Sequence, residues 1–404
     1  MNRVVVTGMG AITPVGQSVR TYWDSLIAGR SGLAAPVVAS AMPVGTKLVG
    51  QVLEFDPAAH FEPQQIGSLD RVSQFAVVAA RQALAQSGLL LCDELAERTA
   101  VIIGTGSGGH ATVDESFHRL YAEGATRLHP LTIPKAMISA APSQVSLFCG
   151  AKGPAYAVAS ACASATHAIG QAFHMLRSGG ATCAICGGTE ASITFGALKG
   201  WEAMRIMAPD TCRPFSSERK GMVIGEGAGI VVLETLEHAR SRNAEILAEL
   251  AGFGMSADAR DLTAPDPSGM ARAISAAMTD AALAPDAVDY VNAHGTGTVA
   301  NDQAETAALH ASFGNHAQRL VVSSTKSMVG HALGAAGALE LVATVMAARE
   351  NAVPPTMNYL GSDPACDLDY VPNEARGLPV DVALSNSFAF GGLNAVLAVR
   401  KYLG

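Results

Sequence analysis

Short apolar runs alternate along this chain with longer alanine-rich stretches, and that alternation limits the available folds more than any other feature. The runs are Val4 to Thr7, Ala100 to Ile103, Ile230 to Leu233, Val288 to Asn292, Leu320 to Ser323 and Val382 to Leu384. Runs this short and this apolar suit strands covered on both faces. Arg71 to Ser87, Ala163 to Arg177, Gly269 to Ala282 and Ala332 to Glu350 predict helices. Strands alternating with helices predict an α/β layered fold. A chain of 404 residues can hold one large core or two fused lobes. A charged stretch from Glu237 to Asn243 marks a soft seam, so the expected halves are 1–243 and 244–404. Gly153 to Gly179 reads as strand, turn and helix, and Leu320 to Glu350 reads the same way. Cys162 opens one of these helices and His331 the other. The parallel predicts an internal duplication, with a site where two helix N-termini converge.

Composition excludes several classes. Charged residues are 15% of the chain, against roughly 25% in an average globular protein, while apolar residues are 49%. So little charge predicts much buried surface, including a subunit interface. The net charge of −8 argues against a nucleic-acid footprint. An acidic partner would need a local basic patch. No apolar run is long enough to span a membrane. The opening, Met1 to Gly8, reads as strand and turn with no signal peptide, so a cytoplasmic protein is expected. Seven cysteines, an odd number, argue against a disulfide framework. Cys183-Ala184-Ile185-Cys186 lies in an apolar run that reads as a buried strand ending at Gly187-Gly188, and no second pair completes a zinc site.

Three motifs place reactive side chains among small residues. In Ser160-Ala161-Cys162-Ala163-Ser164 a thiol sits where a strand passes into a helix. A helix N-terminus favours thiolate, so a thiol pKa below the usual ~8.5 is expected. In Ala293-His294-Gly295-Thr296-Gly297-Thr298 a strand delivers an imidazole into a Gly/Thr loop that can offer N–H groups and hydroxyls to a ligand. In Lys326-Ser327-Met328-Val329-Gly330-His331 an ammonium and a second imidazole precede a helix with almost no side-chain bulk. Glu340 is the candidate counter-ion for Lys326, because a buried unpaired charge is costly. A thiol, two imidazoles and an ammonium form a toolkit for acyl transfer through a thioester, then decarboxylation. A fourth segment, Asn386 to Asn394, sets Phe390 before a glycine pair that permits motion and offers backbone donors. Gly104 to Gly109 resembles a nucleotide loop but lacks the Lys-Ser/Thr ending of a P-loop, and Gly225 to Gly229 runs into a strand. Neither supports nucleotide binding.

With these motifs in this order, nearly the whole chain resembles the β-ketoacyl-acyl-carrier-protein synthases, condensing enzymes of the thiolase fold. Glu218 to Gly229 also resembles the family, with Lys220 where Asp is common. The resemblance implies duplicated α/β lobes in α-β-α-β-α layers, a homodimer and no redox cofactor or metal. Cys162 would take an acyl chain from acyl carrier protein. His294 and His331 would assist decarboxylation of a malonyl thioester and stabilise the enolate. The N–H groups of Cys162 and Phe390 would form an oxyanion hole, and the Phe390 ring would gate entry. Thr296 and Thr298 would hold the phosphopantetheine arm. Lys326 with Glu340, and Asp302, would support the site.

Departures from the family pattern point to specialisation. Gly67 and Ser68 occupy expected basic positions, leaving Arg71, Arg127 and Arg205 as a carrier-docking patch. Ser107 and Trp201 stand in the implied acyl pocket where elongation enzymes carry a bulky aliphatic residue and Phe. Trp201 to Arg205 with Ala208 to Phe215 is similar to nodulation-type synthases, which implies a pathway-specific enzyme handling unsaturated or polyene chains. Three other readings stay open. A CoA-dependent thiolase would usually carry a second cysteine near the C-terminus, where Phe388 to Gly392 stands. A chain-length-factor-like subunit would lack the nucleophile, although this chain could be the catalytic half of such a heterodimer. An unrelated Cys-His hydrolase would leave the second histidine and Lys326 unexplained.

Overall fold

The computed structural model describes residues 1–38 and 43–404. Ten strands form one mixed sheet. They are β1 (Val4–Ile12), β2 (Thr99–Gly104), β3 (Ala155–Val158), β4 (Cys183–Glu190), β5 (Gly227–Thr235), β6 (Ala248–Ala257), β7 (Tyr290–Asn292), β8 (Val321–Ser323), β9 (Val382–Ala389) and β10 (Leu393–Arg400). Their spatial order is β3-β2-β4-β5-β1-β6-β10-β9-β7-β8. Reading outward from the middle, the two halves match strand for strand. In the first, β2 is parallel to both β3 and β4, and β5 is antiparallel to β4 and β1. In the second, β7 is parallel to both β8 and β9, and β10 is antiparallel to β9 and β6. The expected duplication is therefore visible in connectivity. The half-sheets meet through Val4 to Val6 of β1 beside Ala248 to Leu250 of β6.

Five helices complete the layers: α1 (Arg71–Ser87), α2 (Ser164–Arg177), α3 (Pro267–Asp280), α4 (Val299–Phe313) and α5 (Ala336–Glu350). On the outside, α1 packs on β1 and β5, and α3 packs on β6 and β10 with α4 against it. Between the half-sheets, α2 lies on β2 and β4 while α5 lies on β9 and β5, and the two helices touch. This is the α-β-α-β-α order of the thiolase fold. The middle position explains the sequence of α5, which is buried from Ala336 to Ala348 and has no polar face.

Glycine sets the spacing of that middle layer. A Cβ on Gly337 would lie 1.9 Å from Thr166 Oγ1, and one on Gly188 would lie 2.5 Å from Ala165 Cβ and 2.6 Å from the Gly334 carbonyl. This corrects one expectation: β4 does not stop at Gly187-Gly188 but continues through them to Glu190. Cys183 and Cys186, three apart on this strand, face opposite sides and enter different core clusters. Among the described residues, no helix is long and apolar enough to cross a membrane.

Candidate active site

Four elements deliver the reactive groups to one end of the central layer. After β3 the chain enters a single 3₁₀ turn, Ala161–Ala163, with Ala161 at φ +49°, and then α2. The matching entry to α5 is the 3₁₀ turn Leu333–Ala335, with Leu333 at φ +46°. The two helix starts are thus conformational repeats, with Cys162 opposite Gly334. His331 stands ahead of that turn rather than on the helix. Its backbone is held by β-type pairing, its N–H donating to the Val223 carbonyl and its carbonyl accepting from Gly225 N–H. His294 follows β7, and Phe390 follows β9.

The Cys162 sulfur and a ring nitrogen of each of His294 and His331 all lie within 4.8 Å of one another. The two imidazoles meet edge to face with centroids 5.2 Å apart. Lys326 Nζ pairs with Glu340 and lies 3.4 Å from His294 Nδ1. An ammonium can only donate, so it sets Nδ1 as acceptor and leaves the proton on Nε2. Both ring nitrogens of His331 are buried with no protein partner. Burial holds both histidines well below the ordinary imidazole pKa, with the Lys326 charge adding to the effect. Each is therefore a neutral hydrogen-bond donor.

The thiol departs from the sequence expectation. Burial pushes the Cys162 pKa up to about 12, although Lys326 and the N–H groups of Phe390 and Cys162 itself favour the thiolate. A helix start supplies donors, but Cys162 is only 7% exposed, and loss of water outweighs them.

Cys162, His294 and His331 line a cavity of about 410 Å³ that also takes in Thr296, Thr298, Asn301 and Phe390. The Thr296 and Thr298 hydroxyls are 2.9 Å apart. Asp302 accepts from the N–H groups of Phe215 (2.7 Å) and Gly297 (3.2 Å), so it shapes the loop rather than facing the thiol. Ser107 and Trp201 are not among the cavity walls. Ser107 is exposed. The Trp201 ring stacks on Phe390 at 6.3 Å, which ties it to the site through that ring. Arg127 and Arg205 are exposed, but Arg71 is not a free surface cation. Its guanidinium pairs with buried Glu226 at 2.8 Å, donates to the Val52 carbonyl and lies over the Phe75 ring.

Two buried carboxylates escaped the sequence reading. Glu305 accepts from the N–H groups of His294 (2.9 Å) and Gly295 (2.8 Å) and so fixes the strand end that presents His294. Glu190 accepts from Gly106, Ser107 and Gly334. An acidic residue closing an apolar strand was the available signal for Glu190; Glu305 had none, because its partners lie one helix turn and a loop away. As for cations, Asn292 Oδ1, Ser385 Oγ and Glu340 Oε2 are buried acceptors without a protein partner. Asn292 and Ser385 are register neighbours on β7 and β9, and Asn292 Nδ2 donates to the Glu340 carbonyl. Elsewhere Cys183, Glu234 and His238 also converge, but Arg242 already occupies both oxygens of Glu234.

A thiol and two neutral imidazoles at the meeting of two pseudo-equivalent helices define a condensing enzyme of the thiolase fold. The β-ketoacyl synthase N-terminal domain matches residues 1–239 and the β-ketoacyl synthase C-terminal domain matches residues 247–360. The chain belongs to the β-ketoacyl synthase family, and is an enzyme of the acyltransferase class. It is 48% identical over 399 residues to nodulation protein E of Rhizobium sp. (strain N33), covering 99% of each chain. It is 44% identical over 408 residues to 3-oxoacyl-[acyl-carrier-protein] synthase 2 of Synechocystis sp., covering 99% of this chain and 98% of that one. The solved ishigamide ketosynthase/chain length factor superposes with a TM-score of 0.94 at 36% identity, covering 99% of both chains.

Proposed function

We propose that this protein is a β-ketoacyl-acyl-carrier-protein synthase that carries its acyl chain on Cys162 and extends it with malonyl-acyl-carrier protein. The observation that carries the reading is the meeting of the Cys162 sulfur and both imidazoles within 4.8 Å, beside a buried ammonium. In the first half-reaction Cys162 Sγ attacks the acyl thioester of the carrier. The carrier thiol leaves and takes up the thiol proton. In the second, the malonyl thioester loses CO₂ while Nε2–H of His294 and a ring N–H of His331 stabilise the enolate oxygen. The enolate carbon then attacks the acyl carbonyl, whose oxygen is held by the N–H groups of Cys162 and Phe390. The C–S bond breaks, and the departing Cys162 thiolate takes up a proton from water to restore the thiol. Lys326, paired with Glu340, and Asp302 hold the histidine loops in place. Thr296 and Thr298 hold the phosphopantetheine arm.

No redox cofactor enters this scheme, and the two halves, 1–243 and 244–404, act as one catalytic unit in the cytoplasm. The protein works as a homodimer or, like the ishigamide neighbour, beside a chain-length-factor-like subunit. Arg127 and Arg205 are candidates to meet an acidic carrier, and Trp201, through its stack on Phe390, is the candidate to shape the acyl end. The likeness to nodulation protein E supports a specialised substrate. Polyenoyl carriers should be elongated at least tenfold faster than saturated ones of equal length, and equal rates would remove the specialisation. The general reading is tested by CO₂ release from malonyl-acyl-carrier protein. His294→Ala and His331→Ala should each lower it a hundredfold or more while leaving acylation of Cys162 measurable. Release that survives in both variants would overturn it.

A further inference from the structure

Glu190 closes β4 and is fully buried. Its carboxylate gathers donors from two segments far apart in sequence. Oε2 accepts from Gly106 N–H at 2.7 Å and Gly334 N–H at 3.0 Å. Oε1 accepts from Ser107 N–H at 3.2 Å and from the Thr105 hydroxyl at 3.4 Å. No lysine, arginine or histidine pairs with it among the described residues. Thr105 to Ser107 belong to the first half of the fold and carry the residue expected at the acyl pocket. Gly334 belongs to the second half and lies three residues after His331.

The backbone around this carboxylate is fitted to it. A Cβ on Gly334 would lie 2.3 Å from Gly106 N and 2.7 Å from Glu190 Oε2, and a Cβ on Gly106 would lie 2.9 Å from the same oxygen. Leu333, a branched residue, is held at φ +46° beside it, a conformation that persists only when its surroundings impose it. Burial pushes the Glu190 carboxyl up to about 7 against the pull of its donors, and in its ionised form it disfavours the Cys162 thiolate. One buried carboxylate thus clasps the loop after β2 to the turn after His331, beside the nucleophile.

We propose that Glu190 is a positioning residue for condensation: it holds the His331 turn in register with the loop after β2 across the two halves, so that His331 meets the malonyl thioester in the geometry decarboxylation needs. This rests on the condensing reading above. In Glu190→Gln the shape is kept, but one oxygen becomes an NH₂ that cannot accept from the backbone donors facing it. Purified variant and wild type are loaded with acyl-carrier protein, the acylated Cys162 is counted by mass, and single-turnover condensation with malonyl-acyl-carrier protein is expressed per acylated site. The expected result is acylation within threefold of wild type, with the condensation rate per acylated site lowered at least tenfold. A wild-type rate per acylated site overturns the proposal, whatever the melting temperature, and so does an equal loss in both steps. Wild type that neither acylates nor releases CO₂ would instead remove the condensing reading. Should the variant not fold, amide hydrogen exchange of the wild type gives the answer. Gly106, Ser107 and Gly334 should be protected to within tenfold of one another. Free exchange at Ser107 and Gly106, with Gly334 protected, overturns the clasp.

Discussion

Cys162 shows how one residue takes opposing instructions from its surroundings. Its place at a helix start favours thiolate, and its burial favours thiol; burial wins, giving a pKa of about 12. The resting enzyme should therefore react slowly with iodoacetamide at pH 7, with a rate still rising at pH 10. A plateau near neutrality would show a depressed pKa instead. Lys326 and Glu340 are buried together. Lys326→Met leaves the carboxylate unpaired in the core and should cost about 3–5 kcal/mol in urea unfolding. His331 is held below its unfolded pKa of ~6.5. The unfolded chain then binds the extra proton first, so this residue's stabilising contribution is complete above ~6.5 and is lost as pH falls below it. The drop in urea midpoint from pH 7.5 to 5.5 should be smaller in His331→Gln than in wild type. The thiol, imidazoles and ammonium were legible in the sequence because each sits in one of three short motifs among small residues. Glu190 was not, because its meaning lies in donors 84 and 144 residues away.

At the scale of elements, α2 and α5 matter most, since their starts carry or flank the reactive groups. Their approach depends on residues without side chains. Gly337→Ala would drive a Cβ into Thr166 Oγ1, which also bonds Ser387 Oγ at 2.7 Å. The variant should lose about 1–3 kcal/mol, read as a lower urea midpoint with unchanged secondary structure. Helices with strong periodicity were well placed by the sequence. Arg71 to Ser87 ends where the structure ends it, at a left-handed Gly88. The strands β6 and β10 were missed. In β6, Gly252 and Gly254 break the apolar run, yet they are there because α3 lies so close that a Cβ on Gly254 would fall 2.2 Å from the Ala273 carbonyl. Local pattern reports a breaker; packing explains it.

For the whole molecule, the low charge agrees with the layered fold, since α5 is buried from Ala336 to Ala348 and nine of the fourteen residues of α2 are buried. The outward surface is less even. On the edge strand β3 Tyr156 is 37% exposed, and Leu147 (74%) stands out from the helix Ala140–Cys149 that packs against that strand. Exposed apolar side chains at an open strand edge suit a second subunit. Sedimentation should give twice the 41.4 kDa chain mass; a single-chain mass would favour the partner-dependent form. What the sequence could not supply was the pairing of β1 with β6, which joins the halves and has no local signal. The most direct measurement is the intact mass of the protein after acyl-carrier protein is added, followed by a chase with malonyl-acyl-carrier protein. One acyl group per chain on Cys162, absent in Cys162→Ala and discharged as β-ketoacyl product with release of CO₂, is the expected result. An adduct elsewhere, or an acyl-Cys162 that malonyl cannot discharge, would contradict the account.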